Sequence, residues 1–266
     1  MKVIDFHAHA FPDAVAERAM PVLEKEGNIR AALDGKVASL LVSMERAGIE
    51  RAVLASIATK PDQFGGILRW STAMASERLT PFPSVHPAAP DAVAQVRMIH
   101  QAGFKGVKMH PYYQDFDLDE ERLFPIYAEM ERLGLLFLCH TGFDMAYPRV
   151  RKCDPEKIVR VIERFPRLKF ITTHLGAWED WDAVRDLLLG RPVYMDTCFS
   201  IEPMGPRGAR KFLMSHPADY LLFGSDSPWA DQAESLRNMR ALDLPPELEA
   251  KLLHDNAQRL LEQAGT

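Results

Sequence analysis

The chain has 266 residues, a net charge of −5 and an apolar content of 47%. This length suits one large domain, and the apolar content allows a large core and excludes wholesale disorder. Lysines and arginines are dispersed and the pI is near 6.0, which argues against a nucleic-acid surface or a polybasic membrane surface.

The three cysteines, Cys139, Cys153 and Cys198, are odd in number and widely spaced. This usage suits reduced thiols better than a disulfide framework. No stretch reaches the roughly 18 uninterrupted apolar residues of a membrane span, and the N-terminal segment lacks the basic start and apolar run of a secretory signal. We therefore expect a cytoplasmic protein that binds neither a membrane nor a nucleic acid.

A short apolar strand, a loop and a helix recur along the chain, without a linker or a change in composition. The predicted strands cover residues 2–6, 51–56, 82–86, 103–110, 135–140, 168–174, 193–197 and 220–225. The predicted helices cover residues 13–26, 36–47, 66–77, 91–102, 119–133, 154–165, 178–189, 207–214, 231–241 and 246–263. Eight strand–helix units predict one α/β domain over residues 1–266, folded as a (β/α)8 TIM barrel. An open doubly wound sheet fits less well, because it usually has a glycine-rich turn after the first strand.

The connection between the first two predicted strands is unusually long and holds two helices, 13–26 and 36–47. Loops of this length in compact domains are often functional. We expect these helices to form a short helical lid over the mouth of the barrel.

Two histidines spaced by one residue, His7 and His9, follow the first strand. Side chains alternate along a strand, so these two project from the same face about 7 Å apart at the backbone. Two imidazoles at that separation can bind one metal ion, since each metal–nitrogen bond is about 2 Å long. Taken alone, such a pair is more often two surface histidines, and the later strands decide between these interpretations.

Other polar residues also stand at the ends of predicted strands, where the active sites of TIM barrels lie. They are His86, Lys108, His110, His140, His174 and Asp226. We discount His86, and we expect His100, His216 and His254 to be solvated or packed histidines of helices or helix edges. The concentration of the remaining residues at strand ends predicts a functional site at the barrel mouth.

The motifs around these residues form an ordered set along the chain. They are His-x-His (His7, His9), Cys-His-Thr-Gly (His140), Thr-His-Leu-Gly (His174) and Gly-Ser-Asp-Ser-Pro-Trp (Asp226). This set resembles the amidohydrolase superfamily and is closest to amidohydrolase family 2, the branch that includes aminocarboxymuconate-semialdehyde decarboxylase. The resemblance runs from the first strand to the eighth and is specific to the superfamily, not to a substrate.

The resemblance implies that His7, His9, His140 and Asp226 are metal ligands. It implies that Asp226 also accepts a proton from water and that His174 is a general acid/base or polarises the substrate. Imidazoles and a carboxylate suit Zn²⁺, with Mn²⁺, Fe²⁺ or Co²⁺ as alternatives. One ion is favoured over two, because the nearest branch mostly works with one.

More than one role remains open for Lys108 and for His110. Lys108 could contact the substrate in a site with one metal, or be carboxylated and bridge two metals, in which case His140 and His174 would hold the second. It could also be merely structural. His110 could bind the substrate or be a loop histidine before Pro111.

We predict a metal-dependent hydrolase of a small ester, lactone, amide or related carboxylate substrate, with water activated by the metal as the nucleophile. The alternative within the same branch is a metal-dependent, non-oxidative decarboxylase of a small unsaturated or aromatic acid. A metal nuclease of the TatD type is disfavoured by Lys108, where that group has a glutamate. A barrel that only binds a ligand would not need the full set of metal ligands. Family analogy suggests a homodimer.

Overall fold

The computed structural model describes residues 2–265, an alternation of strands and helices. The strands are β1 (Ile4–Ala8), β2 (Arg51–Ala55), β3 (Leu79–Phe82), β4 (Gly106–Met109), β5 (Leu136–Cys139), β6 (Lys169–Thr172), β7 (Tyr194–Asp196) and β8 (Leu221–Leu222). The helices are α1 (Asp13–Gly27), α2 (Val37–Ala47), α3 (Phe64–Met74), α4 (Ala92–Gln101), α5 (Phe124–Arg132), α6 (Pro155–Arg164), α7 (Trp181–Leu187), α8 (Ile201–Ser215), α9 (Gln232–Arg240), α10 (Pro246–Ala250) and α11 (Asn256–Gln263). No helix within residues 2–265 combines the length and the apolar character needed to cross a membrane.

The strands pair in parallel in two ladders, with the orders β1-β2-β3 and β4-β5-β6-β7-β8. Backbone hydrogen bonds join the ladders at both seams. The Phe6 amide donates to the Phe223 carbonyl over 2.7 Å, and the Lys108 amide donates to the Pro83 carbonyl over 2.9 Å. The predicted (β/α)8 barrel is therefore confirmed.

Side-chain alternation builds two apolar layers on either side of the ring of strands. Along β5, Leu136 and Leu138 pack inside the barrel, whereas Phe137 and Cys139 pack in the layer that lies against the helices. His140 continues the inward series of β5 at the barrel mouth, as alternation requires. The fold thus turns a strand-end histidine toward the site.

The connection from β1 to β2 contains α1 and α2, close to the predicted boundaries. Residues at the end of α1 and just after it, Leu23, Gly27 and Ile29, line the cavity at the barrel mouth. The predicted covering segment after the first strand is therefore confirmed.

Several predicted boundaries differ from the structure, and three of the differences have a visible cause. Strand β3 ends at Phe82 instead of beginning there, because its ladder with β2 runs from Leu79 to Phe82 and Pro83 has no N–H to extend it. Helix α8 begins at Ile201, six residues before the predicted start, because the chain continues helically across a kink at Gly205. The predicted helix 246–263 is divided by a π-helical turn at Lys251–Asp255.

Candidate metal centre

One cavity at the carboxyl ends of the strands gathers the predicted site residues, and its volume is about 160 Å³. The predicted residues that line it are His7, His9, Lys108, His110, His140, His174 and Asp226. They lie in β1 or β4 or within four residues after the ends of β1, β4, β5, β6 and β8. The sequence predicted that the polar residues at the strand ends gather in one cluster, and the geometry agrees with that prediction.

The tightest group in the cavity is formed by His7, His9 and Asp226. The Nε2 atoms of the two imidazoles are 3.1 Å apart. Asp226 Oδ1 lies 3.2 Å from Nε2 of His9 and 3.5 Å from Nε2 of His7. These three donor atoms are close enough together to be ligands of one ion.

The outer nitrogens of both imidazoles are held by groups that only accept hydrogen bonds. Nδ1 of His7 donates to Asp196 Oδ2 over 2.9 Å, and Nδ1 of His9 donates to the Ala55 carbonyl over 2.8 Å. A neutral imidazole carries one proton, so both Nε2 atoms present lone pairs. Two lone pairs and a carboxylate oxygen that face one another are a suitable ligand set for a cation, so these residues fit a divalent metal.

A second pair of imidazoles, from His140 and His174, lies beside the first. Nε2 of His174 is 3.2 Å from Nδ1 of His140. Nε2 of His140 donates to the Phe143 carbonyl, and Nδ1 of His174 lies 3.2 Å from the Cys198 carbonyl and 3.1 Å from its sulfur. The inner nitrogens of this pair therefore also face each other as lone pairs.

The role of His140 as fourth ligand stays a prediction. Among the described residues, His7, His9 and Asp226 form one potential ligand group, whereas His140 is grouped with His110 and Asp144. Its Nδ1 nevertheless faces the cavity beside His174. The second nitrogen pair also leaves the number of ions open, as the sequence did.

Lys108 lies below the imidazoles and is almost entirely buried. Its Nζ is 3.1 Å from Nε2 of His7. Burial lowers the pKa of Lys108, although the nearby Asp226 opposes this. An inward lysine one layer below the mouth is what alternation along β4 predicts, and its position is compatible with each of the three interpretations.

The environment favours neutral imidazoles and an ionised carboxylate. Burial, followed by the neighbouring His140, lowers the pKa of His174 to about 3. Burial, followed by the Lys108 charge, lowers the pKa of His7. Burial alone would raise the pKa of Asp226, but His7 and His9 outweigh it and hold this pKa well below its ordinary value. Metal ligands need these protonation states.

His110 packs on the outer side of the site. Its ring stacks on that of His140, with the centroids 4.2 Å apart and the planes 16° from parallel. Asp144 Oδ2 is 3.4 Å from Nε2 of His110 and 3.8 Å from Nε2 of His140. His110 is therefore part of the cavity wall instead of a solvated loop residue.

Three polar residues of the site were not recognised in the sequence. Asp196 is the last residue of β7, and Cys198 lies two residues beyond it. The rule that active-site residues lie at the ends of barrel strands, applied to β7, would have identified Asp196. Asp144 lies in the loop after β5, where no periodicity marks it. Asp5, two residues before His7 on β1, does not line the cavity. Its carboxylate accepts hydrogen bonds from the His7 amide, Ser225 and Gln232.

The histidines that were set aside lie outside this cavity. His86 accepts a hydrogen bond from the Ala88 amide, His216 bonds to the Val193 carbonyl, and His254 lies 3.1 Å from Glu50. None of the three lines the cavity.

Comparison with known proteins defines the class. The amidohydrolase family model matches residues 4–263, nearly the whole chain. This protein therefore belongs to the amidohydrolase family, an enzyme family, and the resemblance seen in the sequence motifs is confirmed.

Solved structures share the fold at low identity. An uncharacterised TIM-barrel protein from Bordetella bronchiseptica is 24% identical, with a TM-score of 0.80 and full coverage of both chains, 100% and 100%. A Pseudomonas putida protein named "Putative 2-Pyrone-4,6-Dicarboxylic Acid Hydrolase" is 19% identical, with a TM-score of 0.68 over 98% of this chain and 97% of that one. A 5-carboxyvanillate decarboxylase from Novosphingobium aromaticivorans, solved with manganese, is 15% identical, with a TM-score of 0.69 over 98% and 97%. At these identities the likeness establishes the fold alone.

Proposed function

We propose that this protein is a metal-dependent hydrolase of a small ester, lactone, amide or related carboxylate substrate. In this proposal one divalent transition metal is held by His7, His9, His140 and Asp226. The observation that carries the proposal is the convergence of two unprotonated Nε2 atoms and the Asp226 carboxylate within 3.1 to 3.5 Å. Zn²⁺ suits this nitrogen-rich set, and the manganese in a similar decarboxylase makes Mn²⁺ the first alternative.

A divalent cation at this position supplies Lewis acidity, which polarises a carbonyl and makes water more acidic. Asp226, ionised and beside the two imidazoles, accepts the proton of the attacking water. The scissile C–O or C–N bond then breaks, and Asp226 returns the proton to the leaving oxygen or nitrogen. His174 is neutral, and because its Nδ1 faces the Cys198 carbonyl, its Nε2 presents a lone pair that accepts a hydrogen bond from the attacking water.

The proposal predicts about one equivalent of bound metal per chain. His9→Ala should lose the metal, because it removes one of the two facing imidazoles. His100→Ala is the matched control, since this helix histidine is outside the cavity. Metal analysis of the purified protein, followed by a screen of small lactones and esters before and after chelation, tests this. Folded, metal-free protein that hydrolyses these substrates would refute the mechanism.

A second candidate is a metal-dependent, non-oxidative decarboxylase of an unsaturated or aromatic acid. It is favoured by the aromatic lining of the cavity, to which Phe11, Trp178 and Trp229 contribute, and by the name of the similar Novosphingobium protein. Hydroxybenzoic acids incubated with the same metal-loaded protein separate the two reactions. Release of CO₂ without incorporation of ¹⁸O from labelled water into the organic product would favour decarboxylation.

We further propose a cytoplasmic setting, which the three free and buried cysteines support.

A further inference from the structure

The cavity is small, mostly apolar and unevenly charged. Six aromatic side chains surround it, from the loops after six different strands: Phe11, Tyr113, Phe143, Trp178, Phe199 and Trp229. Its volume of about 160 Å³ is close to that of a cavity that holds benzene in an engineered protein, about 150 Å³. A molecule with one ring therefore fills it, and a nucleotide or an oligosaccharide is too large.

Lys108 is the single cationic lysine or arginine side chain among the described residues that line this cavity, whereas two carboxylates, Asp144 and Asp226, line it. The nearest arginine on the β5 loop, Arg149, lies over the Phe143 ring at 4.0 Å and pairs with the exposed Glu179. It is thus occupied outside the cavity wall. Among the described residues that line the cavity, no second lysine or arginine is available for a second acidic group of a substrate.

The two carboxylates stand on opposite sides of the His140 ring. Nδ1 of His140 faces His174 and the metal ligands, whereas Nε2 is 3.8 Å from Asp144 Oδ2. The Asp144 side chain is only 10% exposed. Oδ1 accepts from the Ala146 amide over 2.8 Å and Oδ2 lies 3.4 Å from Nε2 of His110, whereas an ionised carboxylate has about four acceptor positions. Asp144 therefore still offers acceptor capacity at this end of the cavity.

We propose that Asp144 determines specificity and that the substrate is a single-ring molecule carrying one acidic or carbonyl group and, at the opposite end, a neutral hydrogen-bond donor. This inference rests on the proposed function, which directs the oxygen-bearing group to the metal ligands. The opposite end contacts Asp144 through a hydroxyl or amino group. A second carboxylate there meets a buried like charge and is rejected.

Binding of simple ring acids tests the inference without any catalysis. The probes are 3-hydroxybenzoate, which has one charge and a hydroxyl donor, and isophthalate, which has two charges on the same ring. Calorimetric titration of the Zn²⁺-loaded protein should show isophthalate binding at least about tenfold more weakly. Asp144→Asn should weaken 3-hydroxybenzoate about tenfold, because a charge-assisted hydrogen bond is lost, and should strengthen isophthalate.

The matched control is Asp115→Asn, because Asp115 is an exposed carboxylate paired with Lys152 outside the cavity. It should leave both affinities unchanged. Equal binding of the two probes to the native protein would overturn the inference even if Asp144→Asn did not fold. Failure of both probes to bind, or an unchanged ratio in folded Asp144→Asn, would also overturn it. If the ratio holds but lactones and esters are not hydrolysed, the substrate class stands and the reaction alone is refuted.

Discussion

Nδ1 of His7 donates to Asp196 Oδ2 over 2.9 Å, and neither side chain is exposed by more than a few per cent. The other oxygen of Asp196 accepts from the His174 amide over 3.0 Å and from the Cys198 thiol over 2.8 Å. One carboxylate at the end of β7 thus fixes an imidazole of β1 and the backbone that carries the histidine after β6. Burial alone would raise the pKa of Asp196. The adjacent His7 has the larger effect, so the pKa of Asp196 is lowered.

Asp196→Asn should weaken metal binding about 10- to 100-fold. Every partner of Asp196 is a donor, so the new amide NH₂ must face a donor. Where it faces His7, the ring proton moves to Nε2 and blocks the lone pair that would hold the metal. Competition with a chromogenic chelator measures the affinity. Asp182→Asn, which changes a carboxylate exposed by 92%, is the control, and equal affinity in folded Asp196→Asn would contradict this role.

Lys108 should carry no carboxyl group if one metal is bound. Its Nζ is 3.1 Å from Nε2 of His7, and we expect it to act on the substrate as an ammonium donor. Lys108→Gln should therefore retain the metal and raise KM. Protein prepared in ¹³C-labelled bicarbonate should give no carbamate signal by NMR. A carbamate signal with two equivalents of metal would establish the bridged, two-metal alternative.

The sequence was sufficient to locate the site but not to define its support. His140, His174 and Asp226 were found because the rule that active sites lie at strand ends needs only the order of elements. Asp196 obeys the same rule, but the predicted strand 193–197 continued past it, so it was not recognised as a strand-end residue. Asp144 and the facing nitrogens of the imidazoles depend on which loop folds over which, and no local sequence signal encodes that.

Glu129 links α4 and α5, and its ionisation should make the free energy of unfolding depend on pH. Oε1 accepts from Arg97 and Arg132, each over 2.7 Å. The hydrogen bonds from Arg132 lower the pKa of Glu129 from 4.5 to about 2. Burial opposes this shift, and the hydrogen bond from Arg97 adds to it. A depressed pKa stabilises the folded state above the unfolded pKa of 4.5, and this contribution is lost as the pH falls toward 2.

Glu129→Gln should therefore lower the free energy of unfolding by about 1 kcal/mol near neutral pH, a modest value because both arginines are more than half exposed. The difference from the native protein should shrink as the pH falls to about 3. Urea unfolding at the two pH values measures it. A difference that is constant with pH would show that packing, and not charge, is responsible.

Gly142 holds the loop after β5 against the loop after β6. The Trp178 amide donates to the Thr141 carbonyl over 2.9 Å, and the Phe143 amide donates to the Trp178 carbonyl over 3.0 Å. Gly142 has φ +89, and a Cβ there would lie 1.9 Å from the Trp178 amide nitrogen. The Trp178 backbone cannot move aside without a large energetic cost, so alanine at this position must separate the two loops.

Gly142→Ala should lower the free energy of unfolding by about 3 kcal/mol and reduce activity, since His140 and Trp178 shift with the loops. Gly190→Ala separates the two causes. Gly190 has nearly the same conformation, φ +84, but a Cβ at this position would meet nothing within 4 Å, so only backbone strain of about 1 kcal/mol is expected. Urea unfolding compares the two variants. Equal losses would show that left-handed strain alone accounts for Gly142, and that the contact between the loops contributes nothing measurable.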